Sequence, residues 1–121
     1  MGLFTRKQTV TFPWVQLTSS AQLHELMEQS AAIPVLLFKH STRCSISALA
    51  KSRFEQKWNA EPNECICVYL DLLNYRSLSS EIETLTGVAH ESPQAILLKN
   101  KRVVYEDSHT GISAATILTL L

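Results

Sequence analysis

The sequence has no excess of either charge. Eleven Lys and Arg stand against eleven Asp and Glu, so there is no electrostatic footprint for nucleic acid or for an anionic membrane surface. No apolar run approaches the roughly 20 residues a membrane span requires. The start, "MGLFTRKQTVTFPW", has no stretch fit for a signal peptide, and Arg6 stands where a myristoylation signal needs Ser or Thr. A soluble, cytoplasmic protein is expected. Cysteine is scarce and odd in number: Cys44, Cys65 and Cys67. A disulfide framework is thereby disfavoured relative to reactive, metal-binding or buried thiols. Internal repeats and low-complexity segments are also lacking.

What remains is 121 residues, enough for one core. Residues 1–11 are polar and unpatterned and are expected to form a mobile arm ahead of a domain over residues 12–121. "PWVQLTS" suggests a short strand, Trp14 to Leu17, before Ser19 or Ser20 caps a helix. In that helix Leu23, Leu26 and Met27 recur at helical spacing, with Glu25 and Glu28 on the wet side. Pro34 closes the unit. Val35 to Phe38 form an apolar, β-prone run broken by "KHSTR". From Ser45 the residues Ile46, Leu49, Ala50, Phe54 and Trp58 trace a helical stripe.

"NAEPNE" is a turn, and "CICVYLDLL" is a second interior strand. "RSLSSEIETLTG" is an amphipathic helix with Leu78, Ile82 and Leu85 inward and Gly87 as terminator. "SPQAILLKNKRVVYED" reads as a hairpin with Asn100 in its turn, and "GISAATILTLL" as a last helix packed through Ile117, Leu118 and Leu121. Strands alternating with helices, closed by an antiparallel hairpin, give the element order of a thioredoxin-like α/β domain. Its central mixed sheet carries helices on both faces.

A single cysteine stands where the first interior strand gives way to a helix. There it meets unpaired backbone N–H groups and the positive end of the helix dipole, which favour thiolate over thiol. Lys39, Arg43 and His40 are near enough in sequence to add to this, and the hydroxyls of Ser45 and Ser47 can hydrogen-bond a sulfur. "CSIS" is C-x-x-S: the second thiol that would close an internal disulfide is missing. A dithiol site frees itself with its own second cysteine, whereas a monothiol site waits for an external thiol. The expected intermediate is a mixed disulfide between Cys44 and a small thiol.

Cys65 and Cys67 lie among Ile66, Val68 and Leu70 and are read as core thiols rather than as a resolving partner. His40, His90 and His109 could tune the site or contact a ligand, or could equally be surface or capping residues. Arg43 could meet a ligand carboxylate. His24 has no assigned role.

Taken together, "FKHSTRCSIS", "HESPQ" and "SHTGIS" resemble the monothiol bacilliredoxins, from about Trp14 onward. Cys44, Ile46 and Ser47 match the family's Cys-Pro-Ile-Ser, while Ser45 stands where the family has proline. The resemblance implies a thioredoxin-like fold in which Ser92 and a cis Pro93 face the cysteine and align an incoming disulfide. It also implies an oxidoreductase that takes a small-thiol cap, bacillithiol, from S-thiolated proteins. The small thiol is a co-substrate, and no tightly bound cofactor or metal is implied. Two other classes remain open on the residues: an iron–sulfur-binding monothiol domain, and a redox-silent interaction module on the same fold.

Overall fold

The computed structural model describes residues 12–121. The arm expected over residues 1–11 lies outside the described residues. Strand β1 (Val15–Gln16) leads to α1 (Ser20–Gln29), then β2 (Val35–His40), α2 (Ser45–Lys57), β3 (Ile66–Asp71) and α3 (Arg76–Thr86). Strands β4 (Gln94–Lys99) and β5 (Arg102–Ser108), a 3-10 turn over His109–Gly111 and α4 (Ala114–Thr119) complete the chain.

The sheet order is β1-β3-β2-β4-β5. β2 runs parallel to β3, Val35 opposite Ile66 through His40 opposite Asp71, and antiparallel to β4, with Lys39 opposite Gln94. Alternating side chains divide the core into two layers. Val35, Leu37, Val68, Leu70, Ile96 and Leu98 pack with Leu23 and Leu26 of α1 and Leu78 and Ile82 of α3. On the other face Leu36, Phe38, Cys67, Ala95 and Leu97 pack with Ala50 and Phe54 of α2 and Ala114 and Ile117 of α4.

Local signals explain most of the boundaries. Ser19 caps α1 by accepting from Gln22 N–H, and Gly87 ends α3 at φ +75°, a conformation that glycine adopts without a Cβ penalty. Asn100 and Lys101 both take positive φ in the two-residue turn joining β4 to β5, the twist that a tight hairpin demands.

Several expectations need correction. The first strand is only Val15–Gln16, not Trp14 to Leu17. β2 does not break at Lys39: it continues through His40, because both side chains are buried with polar partners and the ladder to β3 persists. In α2, Ile46 and Leu49 are 50% and 61% exposed, and the inward face is Ser47, Ala50 and Phe54. The stripe is displaced because the Ser47 hydroxyl finds its partners at the end of β2. Leu85 lies on the outer side of α3. α4 begins only at Ala114 and buries Ala114 and Ile117, leaving Leu118 half-buried.

Candidate active site at the carboxyl edge of strands β2 and β3

Cys44 is the residue immediately before α2, in extended backbone, with its carbonyl accepting from Ala48 N–H. Its own N–H donates to Ser41 O at 3.1 Å, closing the loop between strand and helix. The thiol is half-buried. No side chain caps the first turn of α2, and no acid lies in that turn. The N–H groups at this end are therefore free for an anion. Among the described residues no hydrogen bond reaches the Cys44 sulfur.

Ser47 is fully buried, and its hydroxyl faces the sheet rather than the sulfur. Ser41 N–H donates to it at 3.0 Å, and His40 Nδ1 lies 2.8 Å away. All three groups are satisfied when Ser47 accepts from Ser41 and donates to Nδ1, which leaves the His40 proton on Nε2. The hydroxyl thus ties the first turn of α2 to the loop that carries Cys44. Burial, and then the Lys51 ammonium, hold the His40 imidazole below its usual range against the opposing pull of Ser47, Asp71 and Glu55. Replacing Ser47 by alanine would leave Ser41 N–H and Nδ1 without partners, an expected loss of about 1–3 kcal/mol in urea unfolding. An unchanged midpoint and slope would show that this tie contributes nothing.

The Ser92–Pro93 peptide is cis, and Pro93 is buried at the start of β4. Ser92 Oγ is buried without a hydrogen-bond partner among the described residues. Pro93 O accepts from His109 N–H at 2.9 Å, which joins the 3-10 turn to this segment, and His109 Nε2 lies 3.7 Å from Glu91. Ser45 and Arg43 are exposed, and Arg43 makes no ion pair among the described residues.

His90 sits elsewhere. It belongs to the α3 face, where Nδ1 lies 2.9 Å from Ser79 Oγ and 3.2 Å from Lys39 Nζ. Burial and the Lys39 cation lower its pKa. Lys39, expected from its place in the sequence to support the Cys44 thiolate, instead meets His90 on the α3 face; sequence spacing did not reveal Ser79 or Asp71. The one available signal was a lysine at an inward position of an otherwise apolar strand. Lys39 is wholly buried, and burial pulls its pKa from 10.5 to about 8. Asp71 Oδ1, opposite His40, is a second buried oxygen without a partner among the described residues.

Cys65 and Cys67 are 2% and 3% exposed inside the layer with Phe38 and Phe54. Hydrogen bonding with Cys65, together with burial, pushes the Cys67 thiol far up. Cys67 pairs with Leu36 and so lies four residues before the end of β3, about 13 Å along the strand from the edge where Cys44 sits. A disulfide needs Cα atoms within about 7 Å, so neither thiol can reach Cys44 without rearrangement of the sheet. Among the described residues no group of three or more His, Cys, Asp or Glu is placed to hold a metal ion, and no helix is long and apolar enough to cross a membrane.

Comparison with known proteins bears on the family and the fold. The family model of the monothiol bacilliredoxin BrxC matches residues 15–117. A solved structure described as an oxidoreductase with a thioredoxin fold is 30% identical, with TM-score 0.74, covering 88% of this chain and 92% of the other. Schistosoma mansoni thioredoxin is 18% identical with TM-score 0.64, covering 88% and 91%. Mitochondrial thioredoxin 3 of Saccharomyces cerevisiae is 14% identical with TM-score 0.66 over the same shares. At those identities the two thioredoxins speak for the fold alone.

Proposed function

This chain belongs to the monothiol bacilliredoxin family and is a thiol–disulfide oxidoreductase, and from that premise we propose that it removes a small-thiol cap, bacillithiol, from protein cysteines through a mixed disulfide on Cys44. The observation that carries this reading is the isolation of the thiol. Cys44 stands at an uncapped helix start, the residue three positions on is Ser47 with its hydroxyl engaged by the sheet, and both Cys65, just ahead of β3, and Cys67, within it, are buried.

The Cys44 thiolate attacks the cap sulfur of a protein–S–S–R disulfide. The S–S bond breaks, the protein thiolate departs and takes a proton from solvent, and Cys44 is left as Cys44–S–S–R. A second small thiolate attacks the R sulfur, releasing R–S–S–R and restoring the Cys44 thiolate. Overall the protein mixed disulfide and one free small thiol become a protein thiol and the disulfide of the small thiol. Ser92 and Pro93 align the incoming disulfide, Ser45 flanks the sulfur, and Ser47 with His40 holds the loop that presents it. Arg43 and His109 stand at the rim for contacts with the bound partner. The small thiol is the co-substrate, S-thiolated proteins are the partners, and three free thiols suit a cytoplasmic setting.

A test protein carrying one bacillithiol cap, mixed with this enzyme and free bacillithiol, should regain its thiol with multiple turnovers. Release no faster than with free bacillithiol alone would overturn the reading.

A further inference from the structure

Ile46 and Leu49 are 50% and 61% exposed, the two most exposed of the large apolar side chains among the described residues. They lie three residues apart in α2 and so stand side by side on its surface, two and five positions beyond Cys44. The cause is local. Burying the Ser47 hydroxyl against Ser41 N–H and His40 turns this side of α2 away from the sheet, so an apolar ridge begins at the reactive thiol. Apolar side chains scattered singly over a surface are ordinary, whereas a pair adjoining the nucleophile is covered by whatever the nucleophile meets.

The ridge runs on into positive charge. Ile46, Leu49, Arg53 and Lys57 recur at steps of three and four residues and share one side of the helix. That side looks toward α4: Arg53 and Lys57 line a cleft of about 180 Å³ whose far wall is Ile112, Ser113 and Ala114. No carboxylate lies within ion-pair distance of Arg53 or Lys57 among the described residues. The neighbouring chain offers none, since residues 108–121 contain no Asp or Glu. Glu55 is held by Lys51 and Trp14 on the opposite side of α2. Asp107, near the end of β5, accepts from Ser108 N–H and lies against Gly111. At 1.5 Å per residue Arg53 is about 14 Å along the helix from Cys44, the span of about four residues of extended chain.

Resting on the thiol-exchange reading above, we infer that this side of α2 is the docking surface for the protein half of the mixed disulfide, and that it fits an extended segment with an apolar residue beside the capped cysteine and a carboxylate about four residues away. The apolar residue covers Ile46 and Leu49. The carboxylate meets Arg53 and Lys57 at the mouth of the cleft, where opposite charge steers the encounter and like charge repels the wrong partner. The surface selects among capped proteins and takes no part in the exchange at sulfur.

The test uses synthetic peptides with one cysteine capped by bacillithiol, leucine on both sides of it and a glutamate four residues away in each direction. Companion peptides carry lysine for glutamate, or serine for leucine. With free bacillithiol and the full chain at low salt, kcat/KM for the glutamate peptide should exceed that for the lysine peptide about tenfold, the size of two rim charge pairs, and the gap should narrow as salt rises. R53E should lower this ratio, and R53E and K57E together should invert it, an exchange of preference that a merely structural change does not produce. K57E, at an exposed position, carries the test should R53E fail to fold. L49S should lower the leucine-to-serine ratio about fivefold. A glutamate-to-lysine ratio unmoved by the charge reversals, or a leucine-to-serine ratio unmoved by L49S, overturns the docking surface and leaves the role of Cys44 standing. Absence of turnover on every capped peptide overturns that role and the surface together.

Discussion

Cys44→Ser should abolish cap removal, with a loss on the order of a thousandfold or more in kcat/KM. A serine hydroxyl at a helix start remains protonated near neutral pH and is a poor nucleophile toward sulfur, so the first bond cannot form. The fold should be untouched. Cys44 is half-buried and its sulfur makes no hydrogen bond among the described residues, so the unfolding free energy should change by less than about 0.5 kcal/mol. The paired measurement matters, because lost activity with intact stability assigns the chemistry to the sulfur. Retained turnover in the serine variant would remove Cys44 from the reaction.

The second large effect concerns stability, and its sign is the reverse of most core substitutions. Lys39 is a fully buried ammonium whose pKa falls from 10.5 to about 8. Below pH 8 the side chain is protonated in the folded and unfolded chains alike, and the penalty for burying the charge is fully present. Between pH 8 and 10.5 the folded chain has released a proton that the unfolded chain still holds, so wild-type stability rises with pH across that window. Lys39→Met fills a similar volume without charge. At pH 7 it should be more stable than the wild-type protein by as much as about 3 kcal/mol, an advantage that fades as the pH approaches 10.5. Urea unfolding at pH 7, 8.5 and 10 measures this. A variant no more stable than the wild type at pH 7 would mean that His90 and Ser79 compensate the charge in full.

The order of elements was legible because each carries its own local signal: the apolar run from Val35, the serine ahead of α1, Gly87 after α3 and the Asn100 turn. The position of Cys44 was legible for the same reason, since strand and helix meet there within a few residues. Register was harder to read. Ile46 and Leu49 are as apolar as Ala50 and Phe54, so spacing admits two inward stripes for α2, and the choice depends on a buried hydroxyl bond from Ser47 to His40. The contacts that place Lys39 and His90 on the α3 face were beyond reach. Lys39 meets His90 across 51 positions and His90 meets Ser79 across 11, contacts that exist only once the sheet and α3 are assembled.

The most direct test of the central claim is the intact mass and peptide map of the protein after brief exposure to a protein disulfide capped with bacillithiol. The account predicts a gain of one cap, located on Cys44 and retained until a second small thiol is added. An internal disulfide joining Cys44 to Cys65 or Cys67, or a cap carried by either of those residues while Cys44 stays free, would contradict it.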